Sequence, residues 1–366
     1  MRKTSAKHSG ARAQTGFSLI ELMIAILLGF LVVGAAGALF MSNKRTYSTT
    51  ETLGRIQEGA RVSFELMSRD IREAGGNPCS TGARLVNQLE DGNDSWWAGY
   101  SDGLRGYGPS DAMSDSTLGN AAGNRRTGTD AIELHNTTAG NIRVTEHDNP
   151  SAVAQVSSST GIAVDDILMI CNMSYAMIFQ VTQLPSGDVQ HNGATGGNCN
   201  NRFIIERAPD GTCPSGTVEG YCFMADPTAP SVDSTCKAGH SNTPAFIAHP
   251  LSVRWFVRVN EDGTNSLVRQ TVRNRTSDGA VGDVQTDEIA QGIENLEFQY
   301  LLAGGTDFVQ EGAVSDWKQV ISVRAVVTAQ GTGSTLQGQN IQGTDGKNLE
   351  RRTVNIIALR NREGSL

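Results

Sequence analysis

Six cysteines, six histidines and one misplaced glutamate are the groups in this 366-residue chain from which chemistry could come. The cysteines are Cys79, Cys171, Cys199, Cys213, Cys222 and Cys236. Their number is even and no two form a C-x-x-C pair. That spacing speaks for disulfides in an exported domain and against a zinc ribbon. Six cysteines allow 15 pairings. Cys199, Cys213, Cys222 and Cys236 share one Gly- and Asn-rich stretch with little else to order it, so they are expected to pair among themselves. Cys79 would then join Cys171 and tie the end of a helix to a strand, with a Cys171–Cys199 bridge as the competing arrangement. The histidines (His8, His135, His147, His191, His240, His249) are scattered, and no close pair suggests a ligand set. The acidic run Asp91, Asn93, Asp94 lacks the spaced ligands and the bidentate glutamate of an EF-hand and reads as a solvated loop. There is no G-x-S-x-G, no G-x-x-x-x-G-K-[ST] and no H-E-x-x-H. No metal, no cofactor and no enzymatic activity are expected.

The glutamate is Glu21, in the apolar stretch "GFSLIELMIAILLGFLVVGAAGALFM" from Gly16 to Met41. An ionised carboxylate within lipid costs about 2.5–3.5 kcal/mol on insertion scales and marks a functional position. It needs a cationic partner. A free α-amino group on Phe17 would supply one, at i to i+4 along the helix or on a neighbouring chain. That requires cleavage after Gly16.

The elements that must position these groups follow from the hydropathy pattern. Residues 1–16 hold Arg2, Lys3, Lys7 and Arg12 and no acid. Phe17–Met41 would make about 37 Å of helix, enough to cross a bilayer core of about 30 Å. The basic leader places the N-terminus in the cytoplasm and the rest outside. A secretory signal has a shorter apolar region ending in a cleavage site, and here the small residues lie within the apolar run. Residues 42–76 continue as an amphipathic helix. Leu53, Ile56, Ala60, Phe64, Met67, Ile71 and Ala74 form its apolar stripe, Gly54 and Gly59 are possible breaks, and Gly75, Gly76 and Pro78 end it. From Phe17 to Ala74 the helix would be about 87 Å long.

Residues 77–366 read as a β-rich domain. The stretch 79–128 is loop-like, with Trp96 and Trp97 as a small packing cluster. "TDAIELHN", "IRVTE", a hairpin of "DDILMIC" and "YAMIFQVTQL", then "RFIIERA" read as strands. After the Cys-rich stretch, "LSVRWFVRV" and "SLVRQTV" pair across "NEDGTN". "IENLEFQYLL", "WKQVISVRAVVTA" and "RRTVNIIALRNR" complete the set, with 329–348 as the last loop. The class is α+β, a long helix on a mostly antiparallel sheet with long insertions. The net charge is −8, and taking away the four leader cations leaves −12. A nucleic-acid partner is not expected.

"TGFSLIELMIAILLG" resembles the prepilin motif of type IV pilins and type II secretion pseudopilins. The resemblance implies that a prepilin peptidase cuts after Gly16 and methylates Phe17. It also implies that Glu21 pairs with a neighbouring subunit's N-terminus during assembly. "VRWFVRVNEDGTNSLVRQ", "IENLEFQYLL" and "WKQVISVRAVVTA" resemble the large minor pilins. "SRDIREAGGNPC", "DDILMICNMSYAMIFQVT" and "RRTVNIIALRNR" are similar to the PilW family in particular. The implied fold is type IV pilin-like. The implied role is a minor pilin of the inner-membrane priming complex. Its partners would be other minor pilins, the major pilin, a tip adhesin and the assembly platform. It would be a single-pass protein with a periplasmic domain, later at the pilus tip. A J-like minor pseudopilin of a type II secretion system is the alternative. The stretches 79–128 and 185–243 fall outside the resemblance.

Overall fold

The computed structural model describes residues 16, 18–76, 78–80, 82–90, 96–98, 100, 102–138, 140–147, 153–193, 197–208, 211–214, 216, 218–223, 240–241, 243–273, 283–330 and 349–362. The chain divides into two units, Met1–Leu53 and Gly54–Leu366. The helix α1 spans Leu19–Glu73 and includes Gly54 and Gly59, the two possible breaks. Neither glycine carries a positive φ, so each stays within helical backbone and only lowers helix propensity.

Over residues 19–41 α1 is apolar on all sides apart from Glu21, and no residue of its most hydropathic window is buried. Farther along, the Thr46 and Thr50 hydroxyls bond back to the carbonyls of Ser42 and Thr46 (3.1 and 2.9 Å). They spend their polarity within the helix, so these positions tolerate an apolar surrounding.

In the second unit α1 is followed by β1 (Arg84–Asn87), β2 (Leu104–Tyr107) and β3 (Ala131–Thr137). An insertion carries β4 (Ile142–Glu146), β5 (Val153–Val156), β6 (Ile167–Cys171), β7 (Tyr175–Gln180) and β8 (Val189–Gln190). It ends with β9 (Cys222–Phe223), β10 (His240–Ser241) and β11 (Ala245–Ala248). The chain then returns as β12 (Pro250–Val259), β13 (Asn265–Arg273) and β14 (Asp283–Gln291). It closes with β15 (Ile293–Leu302), β16 (Phe308–Val309), β17 (Val320–Gln330) and β18 (Glu350–Ala358).

These strands make separate sheets where the sequence suggested one. A five-stranded sheet has the order β14-β13-β12-β3-β2, and a four-stranded sheet the order β16-β15-β17-β18. The insertion builds a seven-stranded sheet, β1-β7-β6-β11-β4-β5-β8, and a two-stranded pair, β10-β9. Pairing is antiparallel throughout except β1 with β7 and β10 with β9. The hairpin across 260–264 forms as its residues dictate. Asn260 N–H donates to Thr264 O (2.8 Å), and the Asp262 carboxylate accepts from Thr264 N–H and Oγ1. Gly263 supplies the positive φ of +77°.

Two large cores follow from this arrangement, with smaller clusters around Met169 and Ile178 and around Phe256 and Val268. Ile56, Phe64, Met67 and Ile71 of α1 pack with Trp255 and Leu267 of the five-stranded sheet and Leu296, Phe298 and Val323 of the four-stranded one. The stripe read from sequence is therefore buried from Ile56 to Ala74, whereas Leu53 at its head is exposed. The inserted lobe has its own core around Leu168, Ile170, Met177, Phe179, Phe203 and Phe223. A chain segment with a separate core is a lobe, not a decorated loop.

Three local expectations need correction. The stretch 79–128 contains β1 and β2, short strands that join sheets at their edges. "RFIIERA" is buried at Phe203 and Ile204 but joins no named strand. Its backbone is satisfied by a side chain: Gln88 Nε2 donates to Ile204 O (2.9 Å), and Ile204 N–H donates to Gln88 Oε1 (2.8 Å). On its other side the segment meets a single antiparallel bridge, Ile204 with Gly220, where Phe203 O accepts from Tyr221 N–H (2.8 Å). β5 and β14 were not anticipated, because "VAQV" is short and "DVQTDEIAQ" is polar on the outward face of a sheet edge. The loop expected at 329–348 falls outside the described residues beyond Gln330, apart from the strand end at 329–330.

Candidate functional site: the N-terminal segment and the network behind the helix

Gly16 is exposed, with nothing within 4 Å of a Cβ placed on it. A peptidase would meet no steric obstacle from the described residues there. Phe17 lies outside the described residues. Ser18 O accepts from Leu22 N–H (3.1 Å), which starts the helix. Glu21 falls in the first turn, where a carboxylate meets the positive end of the helix dipole. It has no side-chain partner among the described residues, and around it Leu19, Leu22, Ile24 and Leu28 are all more than half exposed. A helix apolar on every side requires lipid or other helices around it. A lone acid on it requires a partner from outside the chain's described residues.

The helix's other end is fixed by polar chemistry that the sequence reading missed. Asp70, on the inner face of α1, accepts from Trp255 Nε1 (2.9 Å) and from Arg269 Nε and Nη2 (2.7 and 3.0 Å). Asp70 breaks the apolar stripe between Met67 and Ile71, and that interruption was the available signal. The last turn is held by the C-terminal segment. Arg360 N–H donates to Arg72 O and Asn361 Nδ2 to Glu73 O (both 3.1 Å). The Arg362 guanidinium reaches the carbonyls of Val320, Trp317 and Asp102. Gly103 is required here, since a Cβ on it would lie 2.5 Å from Gly75 Cα.

Beneath the helix end lies a buried polar line. His135 Nδ1 is 3.0 Å from Ser252 Oγ, and His135 Nε2 is 3.1 Å from Glu133 Oε1. The set Ser–His–Glu has the composition of a hydrolase triad, but its surroundings are those of a structural network. Ser252 is 1% exposed, and its hydroxyl is engaged by Trp97 O (2.7 Å) and Tyr100 OH (2.9 Å). Glu133 is engaged by Arg254 Nε (3.0 Å) and Tyr107 OH (3.2 Å). Burial pushes the Glu133 carboxyl up, but the hydrogen bonds and charges of His135 and Arg254 outweigh it and hold it below its usual value. Burial and the Glu133 charge push the Tyr107 phenol up to about 12. The Arg254 guanidinium stacks 3.9 Å from the Trp96 ring, so Trp96 is a buried packing partner.

The histidines need a correction. His147 and His191 lie just past the ends of β4 and β8, and the β4-β5-β8 order brings their rings to 5.9 Å. His191 stacks on Phe203 at 3.7 Å, and His147 Nδ1 accepts from Phe223 N–H (3.0 Å). Both Nε2 atoms are buried without a partner among the described residues. Burial pushes His147 down to about 4, and burial together with the His147 charge lowers His191 well below its usual value. They are neutral core side chains. Among the described residues no three His, Cys, Asp or Glu groups converge as metal ligands. Asp91, Asn93 and Asp94 lie outside those residues, as do His8 and the side chain of His240.

The cysteines form disulfides Cys79–Cys171 and Cys199–Cys213. Cys222 is also disulfide-bonded, while Cys236 lies outside the described residues. Cys79–Cys171 ties the segment just past α1 to the end of β6 in the lobe.

Residues 11–37 match the model of the prokaryotic N-terminal methylation motif. The motif supports a type IV pilin-like protein. It spans Gly16, Phe17 and Glu21 and stops within the apolar part of α1. The motif implies processing by prepilin peptidase and assembly with other pilins. Together with the apolar helix it is consistent with a membrane-anchored, pilus-associated protein, and pilins are structural subunits. No curated protein matches the chain.

Proposed function

We propose that this pilin-like chain is a minor pilin of a type IV pilus, of the PilW kind. Cleavage after Gly16 frees the Phe17 amine, which is methylated. Glu21 neutralises the N-terminus of the adjoining subunit, and the apolar part of α1 enters the filament core. The subunit joins other minor pilins in the inner-membrane priming complex, starts polymerisation on the assembly platform and remains at the tip with an adhesin. The observation that carries this reading is the methylation motif at 11–37 on a chain whose second unit runs from Gly54 to Leu366. A unit that large suits a cap better than a repeating subunit of a thin fibre.

The test is mass spectrometry of the membrane-extracted protein alongside a count of surface pili. The wild type should begin at methylated Phe17, and Gly16→Ala should keep the leader. Glu21→Ala should be processed normally yet fail to restore pili to a deletion strain. An unprocessed wild-type chain beginning at Met1 or Arg2 defeats the reading. Normal piliation in the deletion strain with lost protein secretion would instead assign the chain to a type II secretion system.

A further inference from the structure

β18 is the outer strand of the four-stranded sheet, with β17 on one side and, among the described residues, no strand on the other. Its register runs without a shift from Gln330 opposite Glu350 to Ser322 opposite Ala358. Leu359 N–H donates to Ile321 O (2.9 Å), which fixes the phase of the ladder. In an antiparallel pair the bonded residues alternate, so Arg351, Thr353, Asn355 and Ile357 bond to β17. The amides and carbonyls of Arg352, Val354, Ile356 and Ala358 therefore point away from the sheet. The same alternation sends their side chains to the solvent face: Val354 is 48% and Ile356 60% exposed, whereas Ile357 is buried. The backbone groups in need of a partner and the exposed apolar side chains belong to the same four residues. Sheet edges are ordinarily blunted by proline or a bulge, and β18 has neither.

We infer that the free edge of β18 receives an extended acidic strand of another protein. The charge on this edge selects the occupant. Arg351 and Arg352 are exposed on a chain of net charge −8. The acid within the strand, Glu350, is engaged by Gln330 Nε2 (3.1 Å). Arg352 has a surface pair with Glu297 at 3.6 Å, with both side chains more than two-fifths exposed, a contact that a closer carboxylate would displace. A second copy of this chain would bring two more arginines to the same short ladder. The complementary segment alternates apolar residues, set beside Val354 and Ile356, with carboxylates on the opposite face, the side of Arg351. Main-chain bonds supply affinity and the alternating side chains supply selectivity. The inference stands on the edge itself and does not depend on the assembly role proposed above.

The test uses the full chain in detergent micelles and two capped seven-residue peptides, one alternating valine with glutamate and one alternating valine with lysine. Amide hydrogen exchange is followed residue by residue along β18. Without peptide, the amides of 352, 354, 356 and 358 should exchange at least tenfold faster than those of 353, 355 and 357. The valine–glutamate peptide should slow the first set tenfold or more at saturation, and the valine–lysine peptide should not. Val354→Pro should abolish binding while leaving the β17 ladder intact, because the amide it removes points outward. Val354→Lys, with an unchanged backbone, should weaken it. Slow exchange of the outward amides before any peptide is added would show the edge already covered and would overturn the inference. So would equal protection by both peptides, undiminished binding to Val354→Pro, or peptide-free protection that rises with protein concentration, which would make the occupant a second copy.

Discussion

His147 and His191 are the residues whose protonation state most constrains this protein. His147 falls from 6.5 to about 4 on burial, so the folded lobe binds fewer protons than the unfolded chain between those values. Stability therefore drops as pH falls through 6.5, and the loss is complete below about 4. For His147 alone it amounts to about 3 kcal/mol at 1.36 kcal/mol per pH unit. Asp130 works in the opposite sense. Burial raises its carboxyl to about 6, which destabilises the folded state above that pH and relieves it below. Asp130 bonds to Phe298 N–H in the other core, so a probe confined to the lobe separates the two. Exchange of the Phe223 amide, which His147 Nδ1 accepts, should accelerate at least tenfold from pH 7 to pH 5 relative to the intrinsic rate, and His147→Gln should flatten that dependence. None of this was legible in the sequence. His147 and His191 are 44 positions apart, and only the order of β4, β5 and β8 brings them together. Glu21, by contrast, was legible because its surroundings are set by adjacent residues.

At the scale of elements, α1 shows how far periodicity reaches. Spacings of three and four identified the buried face from Ile56 to Ala74, because a helix surface is a property of neighbours in the chain. What that face meets was not legible. Asp70 looks like a flaw in the stripe until Trp255 and Arg269 arrive from β12 and β13. Asp70→Ala would leave a partly buried guanidinium and an indole N–H without their acceptor, a loss of about 3 kcal/mol. The measurement is the denaturant midpoint of the full chain in detergent. Asp70→Asn should fall between Ala and wild type, since it keeps an acceptor for Trp255 but not the charge for Arg269. The strand at 203–204 was misread for a related reason. Its apolar content reported burial correctly, but between the Gln88 amide, one bridge to Gly220 and the aromatic rings no extended ladder forms.

At the scale of the whole molecule, the α+β class was legible and the division into two main cores was not. Hydrophobic runs reveal strands one at a time, whereas their partition among sheets depends on pairings between distant segments such as β11 with β6. The covalent links reflect that partition. Cys79–Cys171 spans 92 positions and Cys199–Cys213 spans 14. Loop-closure entropy gives about 4.6 kcal/mol for the first and about 3 kcal/mol for the second. Replacing both members of each pair with alanine should therefore lower the denaturation midpoint more for the Cys79/Cys171 pair, and an equal or reversed loss would show that strain or residual structure decides instead. The longer link also has a mechanical meaning. Tension between the end of α1 and β6 can pass through one covalent bond and leave the intervening chain slack. That withheld chain corresponds to roughly 300 Å of extended contour at about 3.3–3.6 Å per residue. With the bond intact the lobe is tethered on a short leash, and a load that tears β1–β5 from their sheets lengthens the tether by almost nothing.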